Sequence, residues 1–208
     1  MTIFAPMGIA ERKEREKQEM RQRILDSAMR LFTEHGYEKT SIRKIADAIE
    51  YSPATIYLYF KDKTEMFYEL HRMAFTRFRE QFVNSMHISD PAERLRFIGR
   101  MYISFALDNP EHYDLMFIMR APMNAGHTHS HWDVGHGAFE VLELTVKECM
   151  EKGKLKGSDY RMVAYAMWGN VHGLVSLAIR ERLKMYGEED PRDHIFAAYE
   201  EFMEMVYI

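Results

Sequence analysis

A chain of 208 residues with 47% hydrophobic content is long enough to bury a sizeable core, which excludes disorder as the default reading. Its single cysteine, Cys149, excludes an intrachain disulfide and fits a reducing, cytoplasmic compartment. Net charge is -4, but residues 1–63 hold 12 Lys+Arg against 10 Asp+Glu, so the N-terminal part is mildly basic and the remainder acidic.

Met1 to Ala10 is too short and too interrupted by Pro6 and Gly8 for a signal-peptide core. No later window offers the roughly 18 uninterrupted apolar residues of a membrane span, so a soluble chain with no membrane partner is expected. Behind a charged run from Glu11 to Arg23, residues Ile24, Leu25, Ala28, Leu31 and Phe32 recur at helical spacing, and Gly36 offers a C-cap. Thr40 and Ser41 supply capping oxygens for a second helix through Ile42, Ile45, Ala46 and Ile49. A third starts after Ser52, with Pro53 at its first position. Lys61-Asp62-Lys63 breaks the pattern before a long helix over about Thr64 to Met86.

Asp90-Pro91 and Asn109-Pro110 each place a capping side chain before a proline and mark further helix starts. Residues Ala121 to Gly137, rich in Gly and His, read as one irregular stretch. Helices then follow near Ala138 to Lys152, Ser158 to Tyr186 and Pro191 to Tyr207. No β-alternation appears. The expected fold is all-α, about nine helices, with an N-terminal three-helix helix-turn-helix domain over 1–63 and a larger helical domain over 64–208, to which the family resemblance described below assigns effector binding and dimerisation.

The stretch from Ser41 to Phe60 has the size and polarity of a helix-turn-helix reader of double-stranded DNA, in which a bracing helix precedes a helix whose leading residues enter the major groove. Hydroxyls and cations at Thr40, Ser52, Thr55, Tyr57, Tyr59 and Lys63 suit phosphate contacts. These residues resemble the tetracycline-repressor (TetR) family across an ungapped run: Ile24-Leu25-Asp26-Ser27-Ala28, Leu31-Phe32, Gly36-Tyr37, Thr40 to Ala46, and Ser52 to Lys63. Carried over by position, the resemblance implies base-edge contacts from Arg43, Pro53, Ala54, Thr55 and Leu58, and phosphate contacts from Thr40, Ser52, Tyr57, Tyr59 and Lys63. One departure is Glu50, which stands where the family usually has Gly in the turn; it implies a left-handed residue at a cost of roughly 1 kcal/mol.

Trp168, His172 and Gly173 are similar to the Trp-His-Gly signature of one C-terminal subgroup of the family. The family further implies a transcriptional regulator, a repressor rather than an enzyme, that binds a palindromic operator and is released by a small hydrophobic or aromatic effector. Contacts to that effector are expected from His71, Tyr102, Phe105, Trp132, Trp168 and His172, and homodimerisation through the last two helices. No cofactor is expected. An alternative uses the strip His127, His129 and His131, with His112 or Asp133 completing the shell, as a metal-responsive sensor or, less favourably, as the centre of a metal-dependent hydrolase. A solvated polar loop explains the same strip.

Overall fold

The computed structural model describes residues 8–120, 133–187 and 190–208. Among them are nine α-helices and no strand, the sole strand-like pairing being an isolated bridge between Leu155 and Tyr207. Helices α1 (Ile9–His35), α2 (Ile42–Ala48), α3 (Pro53–Tyr57) and α4 (Lys63–Ser85) come first. They are followed by α5 (Pro91–Asp108), α6 (Pro110–Tyr113) with a π-helical turn Asp114–Ile118, α7 (Asp133–Glu151), α8 (Tyr160–Ile179) with a 3-10 turn Arg182–Tyr186, and α9 (Arg192–Val206).

The ends of these helices follow from their caps. Gly36, at φ 80, stops α1, and its N–H donates to the Phe32 carbonyl at 2.8 Å. Ser41 and Ser52 side chains accept from the N–H groups of Lys44 (3.3 Å) and Thr55 (3.2 Å). Asp62 accepts from the Glu65 N–H at 2.9 Å while the Glu65 carboxylate accepts from the Lys61 N–H at 2.6 Å, a reciprocal cap that launches α4. Asp90 caps α5 by accepting from the Ala92 and Glu93 N–H groups, and Asp159 caps α8 by accepting from those of Arg161 and Met162.

Two stretches differ from the sequence reading. Residues 133–137, read as loop from their glycines and histidine, are the first turn of α7. The helix expected to run unbroken from Ser158 to Tyr186 ends at Ile179, because Glu181 adopts a left-handed conformation (φ 57) and the chain continues as a 3-10 turn.

The described residues group into two units, 8–71 with 117–120, and 72–116 with 133–187 and 190–208, so the division falls inside α4. In the first unit Ile24, Leu25, Ala28 and Phe32 of α1 are buried with Ile45 and Ala46 of α2, Ile56 of α3, Phe60, and Met66 and Phe67 of α4. Burial of each large side chain stabilises by about 1.5–3 kcal/mol. Tyr37 and Phe67 meet edge-on with ring centroids 5.3 Å apart, which ties the loop after α1 to α4.

In the second unit Leu95, Ile98 and Ile103 of α5 pack with Val146 of α7, Ala164 and Val175 of α8, and Ile195, Tyr199 and Met203 of α9. Gly99 of α5 admits the Tyr199 ring, whose hydroxyl donates to the carbonyls of Leu95 (3.3 Å) and Arg96 (3.2 Å). Arg94 is buried and pairs with Glu148 of α7. Cys149 is fully buried, and desolvation pushes its thiol up to about 11. By length and composition α8 is apolar enough to cross a membrane, yet it carries Asn170 and His172 at mid-length and packs on α5, α7 and α9.

Candidate nucleic-acid interface and effector cluster

The turn between α2 and α3 is tight. Its N–H groups close back on α2, from Ile49 to the Ala46 carbonyl (3.1 Å), from Glu50 to Asp47 (3.2 Å) and from Tyr51 to Ala46 (3.0 Å). Glu50 holds φ 62, so the left-handed residue expected from its place in the turn is present. Buried Ile45, Ala46 and Ile56 anchor the two helices and leave the opposite face of α3 outward. Tyr57 is 57% exposed and Leu58 79%, with Ser52 and Ala54 exposed and Pro53, Thr55 and Tyr59 half-buried beside them. Exposed apolar and aromatic groups along the outward face of a short helix, here from Ala54 to Tyr57 and the Leu58 cap, suit the edges of bases and thymine methyls in a major groove. Arg43 projects from α2 into solvent on the same unit.

Two residues expected to contact phosphate have other work. Thr40 is buried, and its hydroxyl donates to the carbonyls of Leu31 (3.0 Å) and Gly36 (2.9 Å). A hydroxyl satisfied twice inside the unit stabilises the α1–α2 loop and does not reach solvent. Lys63 donates to the carbonyls of Tyr37 (2.8 Å) and Thr40 (3.0 Å), with its ammonium 4.2 Å from the centre of the Tyr37 ring. The ammonium therefore pins the α1–α2 loop to the start of α4, and phosphate becomes at most an additional partner.

In the second unit, the structure brings four of the expected effector residues together. Tyr102 of α5 lies 3.1 Å from His172 Nδ1 on α8, and Trp168, one turn earlier, stands 5.8 Å from the His172 ring. Phe105 and Tyr102 are joined through Phe78, at 4.8 and 5.5 Å between ring centroids. The sequence reading missed Tyr113, whose hydroxyl also lies 3.1 Å from His172 Nδ1 and donates to the His172 carbonyl at 3.2 Å. No local motif marks Tyr113, which α6 brings in from 59 residues away. Burial lowers the His172 pKa and raises those of Tyr102 and Tyr113, so all three are neutral at neutral pH. His71 is buried in the first unit, stacked at 6.1 Å on Phe67. Trp132, His127, His129 and His131 lie outside the described residues. Among the described residues no three His, Cys, Asp or Glu side chains are grouped to hold a metal.

A profile of bacterial regulatory proteins of the tetR family matches residues 24–70, and one of tetracyclin repressor-like C-terminal domains matches residues 95–202. The chain belongs to the TetR family. Among its relatives, the HTH-type transcriptional regulator AcrR of Shigella flexneri is 26% identical over 204 residues, covering 94% of each chain. A probable acrEF/envCD operon repressor of Escherichia coli is 30% identical over 101 residues, 46% of each chain. The fold matches that of the fatty acid degradation regulator FadR from Bacillus halodurans, with a TM-score of 0.71 at 21% identity over 88% of this chain and 94% of that one. It likewise matches PfmR from Thermus thermophilus, with a TM-score of 0.69 at 23% identity over 86% and 93%.

As a TetR-family member this chain is a DNA-binding transcriptional regulator and not an enzyme, with the helix-turn-helix in its first unit and the helical C-terminal domain in its second. Family members bind operator DNA and are typically dimeric. The matched C-terminal domain is the tetracyclin repressor-like one.

Proposed function

We propose that this TetR-family chain is a cytoplasmic repressor that holds a palindromic operator as a homodimer and releases it when a small hydrophobic or aromatic effector binds. The reading assigns DNA recognition to residues 1–63 and effector binding with dimerisation to 64–208. The observation that carries it is the outward face of α3, where Ala54 near its start and Tyr57 and Leu58 at its end are exposed while Ile56 is anchored in the core. Arg43, Pro53, Ala54, Thr55 and Leu58 are the base-edge candidates, with Ser52, Tyr57 and Tyr59 on flanking phosphates and Lys63 in reach of one.

The aromatic and imidazole cluster of Tyr102, Phe105, Trp168 and His172 supports an effector with a flat apolar body and one hydrogen-bonding group; His71 and Trp132 are further candidates, and Trp168 with His172 and Gly173 keeps the Trp-His-Gly subgroup in view. Dimerisation is assigned to α8 and α9. Met162, Ala166, Gly169, Gly173 and Leu177 form one exposed line along α8, with open space beside both glycines, which permits close approach of a second copy. Effector binding and operator binding then oppose one another through α4, the helix the two units share.

The test is selection of bound fragments from random duplex DNA, followed by sedimentation of protein alone and with the selected fragment. A palindromic preference and a dimer that binds it once are expected. A monomer indifferent to every duplex would overturn the reading.

A further inference from the structure

The first eleven residues of α1, Ile9 to Glu19, are exposed on every side, and burial begins only at Ile24. At about 1.5 Å per residue this overhang reaches roughly 16 Å beyond the core of the first unit. It holds its helical form by its own side chains: the Gly8 N–H donates to the Glu11 carboxylate (3.0 Å), Arg12 pairs with Glu16 (2.8 Å), Arg15 with Glu19 (3.4 Å), and Gln18 donates to Glu14 (2.8 Å). A helix polar all round has no folding reason to extend past the core it serves.

Its charges are not evenly answered. The face of α1 that buries Ile24, Ala28 and Leu31 continues toward the N-terminus as Arg21, Lys17 and Lys13, each four residues from the next. Arg21 is satisfied by Glu69 at 3.0 Å and by the Phe60 ring at 4.7 Å. Lys13 and Lys17 have no ion-pair partner among the described residues, and like charges four apart cost the isolated helix a few tenths of a kcal/mol. The direction of the overhang is set by α1 itself: Leu31 and Gly36 hold Thr40 ahead of α2, Ser27 meets the Ile45 carbonyl at mid-α2, and Arg23 lies 5.5 Å over the Tyr51 ring beside the cap of α3. Residues 9–19 therefore run on past the end of the helix-turn-helix that leads into the groove.

We propose that the overhang of α1 is a phosphate-binding arm, in which Lys13 and Lys17 lie along the DNA backbone outside each half-site. This inference rests on the operator-binding reading above. Net charge over residues 9–23 is positive, with six Arg and Lys against four Glu, and the unanswered pair continues the face of α1 that packs on the helix-turn-helix, beyond Arg23 and the α3 cap.

The test compares the full chain with a Lys13→Gln/Lys17→Gln variant on two versions of the selected operator, one cut at the half-site ends and one with about ten further base pairs on each side. On the long duplex, the slope of log affinity against log salt is expected to fall by about 3 to 4 in the variant, since four lysines of a dimer each release close to one counterion. On the short duplex the two proteins bind alike, and Lys13→Arg/Lys17→Arg restores the long-duplex slope. Equal slopes on the long duplex, an equal loss on both duplexes, or altered sedimentation of the free variant would each overturn the arm, the last by pointing to a protein contact. Parent protein that selects no duplex overturns the operator reading itself and the arm with it, so the two failures are distinguishable. Helical content by circular dichroism confirms that the glutamine variant keeps the overhang folded.

Discussion

Gly99 and Tyr199 occupy one space: a Cβ built on Gly99 of α5 would lie 2.1 Å from the Tyr199 hydroxyl oxygen of α9. The Tyr199 ring can rest on the α5 backbone, and its hydroxyl can reach the Leu95 and Arg96 carbonyls, only because residue 99 has no side chain. Gly99→Ala therefore overpacks a buried contact and is expected to destabilise the second unit by about 1–3 kcal/mol despite the better helix propensity of alanine. Thermal unfolding checks this, with a midpoint lowered by about 2–4 °C per kcal/mol. A Gly99→Ala protein as stable as its parent would show that α9 can shift away without loss.

Glu50 pays twice for its position, in backbone strain at φ 62 and in a carboxylate beside the face proposed to meet DNA. Glu50→Gly is expected to raise stability by up to about 1 kcal/mol and to tighten operator binding. Glu50→Asn separates the two effects, since asparagine tolerates the left-handed region and carries no charge. The affinity gain of the asparagine variant should shrink as salt rises, a trend that fluorescence anisotropy at several ionic strengths measures directly.

Lys63 and Tyr57 make a contrasting pair. Lys63→Met removes two hydrogen bonds to carbonyls of the α1–α2 loop, and a loss of about 2 kcal/mol in chemical denaturation is expected, before any effect on DNA. Tyr57→Ala alters an exposed ring and should leave stability within about 0.5 kcal/mol while weakening operator binding at least several-fold. Equal stability of the two variants would mean the Lys63 bonds contribute nothing.

The His172 site gives a pH dependence with a definite sign. Burial among Tyr102, Tyr113 and Trp168 lowers its folded pKa below the ordinary 6.5, so the unfolded chain takes up the proton first. Its contribution to stability is full above about 6.5 and is lost as pH falls toward the lowered folded value. His112 acts in the same direction, lowered by burial and then by the charge of Arg77. Denaturation midpoints at successive pH values below neutrality should fall, and less steeply in His172→Asn; an unchanged slope in that variant would remove His172 from the account.

The sequence was most legible where local chemistry decides structure. Ser41, Ser52 with Pro53, and Asp90 with Pro91 announce helix starts through caps that need only neighbours three residues away, and each start was placed correctly. Glu50 was legible only through the family resemblance, which has a glycine at that place in the turn. The end of α8 was not, because Arg180-Glu181-Arg182 are all competent helix formers and no glycine flags the left-handed residue. Gly135 and Gly137 misled in the opposite sense, since weak propensity was overridden and α7 begins at Asp133. Thr40 and Lys63 carry donors that suit phosphate, yet their partners are carbonyls set by tertiary packing, from Leu31 and Gly36 in one case and from Tyr37 and Thr40 in the other. Tyr113 joins His172 across a separation that no periodicity reveals.

The sealed thiol of Cys149 makes the folded protein chemically quiet toward electrophiles. A reporter cysteine placed on α3 or on the overhang of α1 could be labelled selectively with the native sulfur left in place. In the unmodified chain, the rate at which a thiol reagent consumes the single sulfhydryl becomes a clock for transient opening of the α5–α7 packing, readable without any introduced dye.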